Sequence, residues 1–288
     1  ATLVADLEGM REVLAGSPYS APDEVDDLST LLLSVMSIKT ESKQLWIDLG
    51  AALKTDDKGV VGILEERWRI PATHHSNRLE FEGPIDIAVT ERIAKKFEPS
   101  VADEFLSVLT LLDGLMGDDR LVVGHDAAFR YARLIAREAR EQRFADEIRE
   151  PKVSEDFNQE PRNEGHLVAE VDIRNFNRIL ESGKTYSTGE QPGEYARHER
   201  YITREVHKVR EDQLTNWKHF DDSHLYKRMV SPDQISEQVQ DLCNWLNSRA
   251  DRTEEWGGLI ATVAHAWLTY IHPFSDGNGR TARLLANL

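Results

Sequence analysis

The chain has 288 residues, 40% of them hydrophobic, enough for one large domain or two modest ones around a sizeable core. Its formal net charge of -16 argues against a general nucleic-acid or anionic-membrane binder, so an anionic ligand would need a local cluster of positive groups. No apolar run reaches the ~18 residues of a membrane span, the N-terminus lacks a signal-peptide pattern, and the single cysteine, Cys243, excludes an internal disulfide or a cysteine metal cluster. A cytoplasmic protein, or one secreted as an effector, fits these features.

Most of the chain reads as helix. Residues 26 to 38, DDLSTLLLSVMSI, carry apolar residues at three- and four-residue spacing, and the acidic run DEVDD before them reads as a solvated start. His74 and His75 read as surface or cap residues, since adjacent side chains on a helix point to different faces. SNRLEFEG at 76 to 83 fits a short helix stopped by Gly83-Pro84. Helical spacing returns at 101 to 116, 127 to 142, 167 to 182 (followed by Gly183) and 234 to 248, where Cys243 is expected in the core. Residues 143 to 165 are polar and irregular. So are 184 to 225, apart from the β-prone YITREV at 201 to 206, whose residues alternate between two faces. Residues 259 to 271, LIATVAHAWLTYI, are apolar almost all round and predict a central, buried helix, with Trp267 in the core and His265 a satisfied core histidine.

That apolar helix runs into HPFSDGNGRTAR, residues 272 to 283. Pro273 disfavours α conformation before it, so the helix should end at or just before His272. His272 would then project from a rigid element, with a titration range suited to taking a proton. Phe274 anchors the loop. Gly277, Asn278 and Gly279 can turn backbone N–H groups toward a ligand and open a helix bearing Arg280 and Arg283 on adjacent turns of one face. Asp276 supplies a hard oxygen suited to Mg2+ shared with phosphates. A base, a metal ligand, an anion cradle and two arginines make a phosphoryl- or nucleotidyl-transfer toolkit. The plainer reading is a solvated loop between helices.

HPFSDGNGRTAR resembles the active-site motif of Fic-domain proteins, HPFx(D/E)GNGRxxR, at every fixed position. The resemblance extends over roughly residues 100 to 288, through the LCNWLN helix and NRILESG followed by GEYAR. It implies a mainly helical, all-α fold with a small β-hairpin flap, the flap lying within 192 to 225. It also implies a catalytic core over 98–288 that continues past Leu288, preceded by a helical region over 1–97. The implied reaction is protein adenylyl transfer: AMP passes from ATP to a Ser, Thr or Tyr hydroxyl of a target protein, which could be the chain itself. His272 would be the base and Asp276 the Mg2+ ligand. Phe274, Gly277, Asn278, Gly279, Arg280 and Arg283 would form the nucleotide site, with Asn278 near the α-phosphate. Many relatives carry an inhibitory helix, (S/T)xxxE(G/N). Ser76 and Glu80 match its first and fifth positions, within about 73–83, while Phe81 departs at the sixth. Glu80 would pair with Arg283 and place a like charge near the γ-phosphate. Alternatives are another nucleotide, removal of AMP, or a nucleotide-binding interaction module without transfer activity.

Overall fold

The computed structural model describes residues 2–19, 59–80, 85–101, 105–144, 166–203 and 226–288. The helix expected over 26 to 38, most of the irregular 143 to 165 segment and Phe81 lie outside the described residues.

The helices are α1 (Thr2–Leu14), α2 (Gly59–Glu80), α3 (Ile87–Val101), α4 (Phe105–Asp113), α5 (Gly117–Phe144), α6 (Glu170–Leu180), α7 (Ile235–Ser248), α8 (Thr253–Ile271) and α9 (Asn278–Leu285). Two three-residue strands, β1 (Tyr201–Thr203) and β2 (Tyr226–Arg228), pair antiparallel, with Tyr201 opposite Arg228 and Thr203 opposite Tyr226. The residues that join them lie outside the described residues.

Three expectations change. Ser76 to Glu80, expected in a short helix, are the last part of α2, which runs for 22 residues and takes Pro71 within it. Within 101 to 116 the described residues form α4, which ends at Asp113, and α5 begins ten residues before the expected Ala127. Finally, α8 is not buried all round. Ile260, Val263, Ala264, Trp267, Leu268 and Ile271 are buried, whereas Tyr270 is 38% exposed and Thr262 also faces solvent. A helix near the surface can carry apolar residues on its wet side, because much of any protein's surface is apolar.

The core has two lobes. One gathers α7 and α8 with Val13 and Leu14 of α1, and includes Cys243 and the edge-on pair Trp245 and Trp267. The other gathers α3, α4 and α5 around Leu112, Val122, Phe129 and Ile135. Helices α6 and α9 join them. Ile173 of α6 enters the first lobe, and Phe176 and Ile179 the second. Ala282 and Leu285 of α9 face the first, and Leu284 the second. Each large apolar side chain buried this way contributes about 1.5–3 kcal/mol. The loop after α8 and the start of α9 are therefore clamped from both sides.

A candidate nucleotidyl-transfer site

Helix α8 ends at Ile271, as Pro273 requires, and His272 caps it in the left-handed conformation with φ 53° and ψ 56°. It is the one non-glycine residue with positive φ among the described residues. Such a conformation costs roughly 1–2 kcal/mol for a residue with a Cβ, so its surroundings must hold it. They do. The His272 carbonyl accepts from Arg200 Nη1, and Arg200 Nη2 donates to the Val230 carbonyl at 2.8 Å. The Pro273 carbonyl accepts from the Ala196 N–H at 2.9 Å. His272 Nδ1 lies 3.3 Å from the Thr269 carbonyl. A carbonyl only accepts, so Nδ1 carries the proton and Nε2 has its lone pair free. Burial, the largest influence, holds the imidazole below its ordinary 6.5. The Thr269 contact, Asp276 and Glu80 push upward, and Arg200 downward.

The rest of the loop is braced from inside. The Phe274 ring is fully buried against Tyr195, with ring centroids 5.6 Å apart. The Phe274 ring thus anchors the loop in the core. Asn278 Oδ1 accepts from the Phe274 N–H at 2.9 Å, and Asn278 Nδ2 donates to the Phe274 carbonyl at 2.8 Å. Its side-chain amide is thus engaged by the loop. Gly277 has φ 75°, and a Cβ there would lie 2.6 Å from Glu181 Oε1 and 3.0 Å from Asn177 Nδ2. Both the conformation and the space require glycine. Asn177 Nδ2 donates to the Asp276 carbonyl at 2.8 Å, and its Oδ1 accepts from the Gly193 N–H at 2.9 Å.

No side chain caps the start of α9, and an uncapped helix N-terminus favours an anion. Glu80 lies there. A Cβ on Gly279 would collide with Glu80 Oε1 and come within 3.3 Å of Arg283 Nη1. Ser76 and Glu80 are four residues apart and share one face of α2. Arg283 Nε donates to Ser76 Oγ at 2.9 Å, and Nη2 donates to the Ser76 carbonyl at 3.1 Å and to Glu80 Oε1 at 2.6 Å. The motif's second arginine thus makes three bonds to α2.

Residues 168–288 match the sequence profile described as "Fic/DOC family". The match detects a Fic domain in this part of the chain. A "Protein adenylyltransferase fic-1" of Caenorhabditis elegans is 49% identical over 59 residues, which is 20% of this chain and 11% of that protein. A "Protein adenylyltransferase Fic" of Nematostella vectensis is 44% identical over 57 residues, 20% of this chain and 13% of that one. The matches therefore span about a tenth of these relatives' length. A solved Fic family protein from Desulfovibrio desulfuricans overlays with a TM-score of 0.41 at 15% identity, covering 93% of this chain and 59% of that one.

Within the Fic domain, Arg280 is buried and ion-pairs through Nη2 with Glu181 Oε1. Asp276 is half-exposed. Its Oδ1 accepts from the Gly277 N–H at 2.6 Å, and its Oδ2 accepts from Lys184 Nζ at 2.9 Å. Burial works most strongly on Asp276 and raises its pKa. Lys184, the Gly277 N–H and Arg280 together outweigh it and hold the carboxyl below its ordinary range. The carboxylate is charged at neutral pH. Among the described residues no cluster of three or more acidic, histidine or cysteine side chains could hold a metal by itself. A single exposed carboxylate beside an anion cradle fits Mg2+ that arrives on phosphate oxygens.

Sequence reasoning missed Asn177, Glu181, Lys184 and Arg200. Each stands on α6 or in the irregular 184 to 225 stretch and reaches the loop across a gap of 72 to 99 residues. Only the order NRILESGK…GEYAR hinted that this segment belonged with the motif. His74, expected at the surface, is buried, with Nδ1 3.4 Å from Thr90 Oγ1, because the helix around it runs between α3 and α5. His75 is exposed.

Proposed function

We propose that this chain is a protein adenylyltransferase held inactive by its own α2. The observation that carries the reading is the Glu80 carboxylate lying across Gly279 at the N-terminus of α9 while Arg283 is bonded to α2. That carboxylate stands where a phosphate oxygen would be received, and the guanidinium it holds is one that outer phosphates need. Names carried by the matching relatives supply the adenylyl group.

The chemistry follows from the residues. A hydroxyl of the target attacks the α-phosphorus of ATP, the bond to the β-bridging oxygen breaks and pyrophosphate leaves. The hydroxyl proton passes to Nε2 of His272, which is neutral and has that lone pair free. The N–H groups at the start of α9 take the α-phosphate charge. Arg280, with Arg283 once released, holds the outer phosphates. Asp276 would hold Mg2+, which neutralises phosphate charge when bound. The β1–β2 pair is read as the flap that adds a strand to the target segment. Arg200 precedes β1 directly and holds the His272 carbonyl, so the strand pair and the base are tied together.

The test is incubation of the full chain with labelled ATP, other labelled nucleotides and a cell lysate. Glu80→Gly should raise labelling from ATP by tenfold or more, since tenfold requires only about 1.4 kcal/mol. His272→Ala in that background should abolish it. Equal labelling by wild type and Glu80→Gly removes the autoinhibition, and label from ATP on no protein removes the reaction itself.

A further inference from the structure

The end of α6 carries a charge network outside the HPFSDGNGRTAR motif. Glu181 caps α6 and is fully buried. One of its oxygens pairs with Arg280. The other accepts from Lys184 Nζ at 2.5 Å and from Tyr186 Oη at 3.3 Å. Lys184 Nζ also donates to Asp276 Oδ2 at 2.9 Å. A continuous chain, Arg280–Glu181–Lys184–Asp276, therefore joins the anion-binding helix to the carboxylate that fits a metal ion. Two arms of the site that sequence reasoning treated as independent share one buried carboxylate.

Counted by charge, this chain is balanced: Arg280 and Lys184 are cations, Glu181 and Asp276 anions. The position beside Asp276 is already held by an ammonium. A divalent ion arriving alone meets a single carboxylate whose charge is answered, and must take Asp276 from Lys184. Mg2+ gives up its waters reluctantly and needs several oxygens in return, which one carboxylate does not supply. A nucleotide changes both sides. Its phosphates bring oxygens for the ion, and they offer Lys184 and Arg280 a new anion. Lys184 need not leave to make room, because its bond to Glu181 holds it as it swings from Asp276.

We propose that Lys184 is a resident cation at Asp276, positioned by Glu181, so that this site accepts a divalent ion only together with the phosphates of a nucleotide. The proposal rests on the adenylyltransferase reading for the identity of the nucleotide. It assigns to Lys184 a selectivity for the metal–nucleotide complex over the bare ion, and makes it a positioning residue for that complex. The Lys184–Asp276 half of the network is solvent-exposed, so the charge of Lys184 there is read in what Asp276 binds.

The experiment titrates the full chain with Mn2+, with and without a non-hydrolysable ATP analogue, and reads the Mn2+ retained with the protein on ultrafiltration, because the analogue alone also binds the free ion. Wild type should leave Mn2+ free without the analogue and bind it when the analogue is present. Lys184→Met, which removes the ammonium but keeps the stem, should bind Mn2+ alone about tenfold or more tightly than wild type, as expected when a like charge beside a dication is deleted. Lys184→Gln tests the same loss of charge with a donor retained for Glu181, should the methionine variant fold poorly. Lys184→Arg should behave as wild type. Adding Asp276→Asn to Lys184→Met should abolish the gain and so assign it to this site. Equal Mn2+ binding by wild type and both neutral variants in the absence of nucleotide overturns the proposal. If the analogue promotes Mn2+ binding in all of them equally, the nucleotide reading survives that overturning. If it promotes binding in none, both fall.

Discussion

Midway along α2, Arg69 pairs with Asp126 of α5 with side chains 4% and 2% exposed. At its C-terminal end, Glu80 pairs with Arg283 of α9 with side chains 29% and 24% exposed. Between them the same helix face meets α5 through His125 Nδ1, 3.3 Å from Thr73 Oγ1, and through Asn77 Nδ2, which donates to the Leu121 carbonyl at 3.2 Å. The contacts are of one kind, yet their surroundings grade from dry to wet along the helix. A buried pair that loses one partner leaves an uncompensated charge. A half-exposed pair that opens is rehydrated at little cost. Arg69 is therefore suited to fixing α2 in place, and the Glu80 end to letting go of Arg283. A helix anchored at its middle and releasable at its C-terminal end can uncover the α9 N-terminus without coming off the protein.

The largest expected effect lies at the anchor. Burial, the main influence on Asp126, raises its pKa even though Arg69 and Arg130 pull it down, so the carboxylate depends on its arginines. Arg69→Met should cost about 3–5 kcal/mol, read by urea unfolding of the full chain. Replacing Asp126 by Leu as well should recover much of that loss, because no charge is then left buried alone. A loss below about 1 kcal/mol in the single variant would mean that the Arg69 and Glu80 contacts are not different in kind.

That gradient explains what was legible beforehand. The motif could be read because HPFSDGNGRTAR packs base, acid, cradle and arginines into twelve consecutive residues, so local spacing carries the chemistry. Ser76 and Glu80 were visible because four residues on a helix is a fixed geometry. Arg69 was not, since one arginine inside RWRIPATHH looks like any solvated charge until Asp126 is brought to it from 57 residues away. Glu181 and Lys184 read as the frayed, polar end of a helix, and only packing of α6 against α9 turns them inward to Arg280 and Asp276. The mainly helical class followed from periodicity. Helix limits did not: α5 begins at Gly117, ten residues before Ala127, and carries Gly124 within it.

In the middle of the seam the effect should be smaller and pH-dependent. His125 is buried, and burial first, then the charges of Arg280 and Arg283, push its pKa from 6.5 down to about 3. The folded state therefore holds this imidazole neutral, while the unfolded chain protonates it below about 6.5. Its contribution is complete above pH 6.5 and is lost as pH falls from there toward 3. Between pH 6.5 and 5.5 that amounts to about 1 kcal/mol. Unfolding free energy measured across this range for wild type and His125→Leu should differ in slope, the variant being flatter. Parallel curves would show that the seam is wet at His125 as well.

The smallest effect on stability should come from the exposed end. Glu80→Gln removes the charge but keeps the shape, and at this exposure should cost no more than about 1 kcal/mol of unfolding free energy, less as salt is raised. Arg283 keeps its bonds to Ser76 Oγ and the Ser76 carbonyl in that variant, so α2 should stay docked. The pairing of a small stability loss with a large gain in adenylyl transfer is what distinguishes a releasable contact from a structural one. The arithmetic agrees, since a lock that opens under a modest binding energy from ATP cannot itself be worth much more than 1–3 kcal/mol. Should Glu80→Gln destabilise the chain as severely as Arg69→Met, Glu80 belongs to the framework of the fold, and relief of inhibition would require unfolding α2 rather than releasing its end.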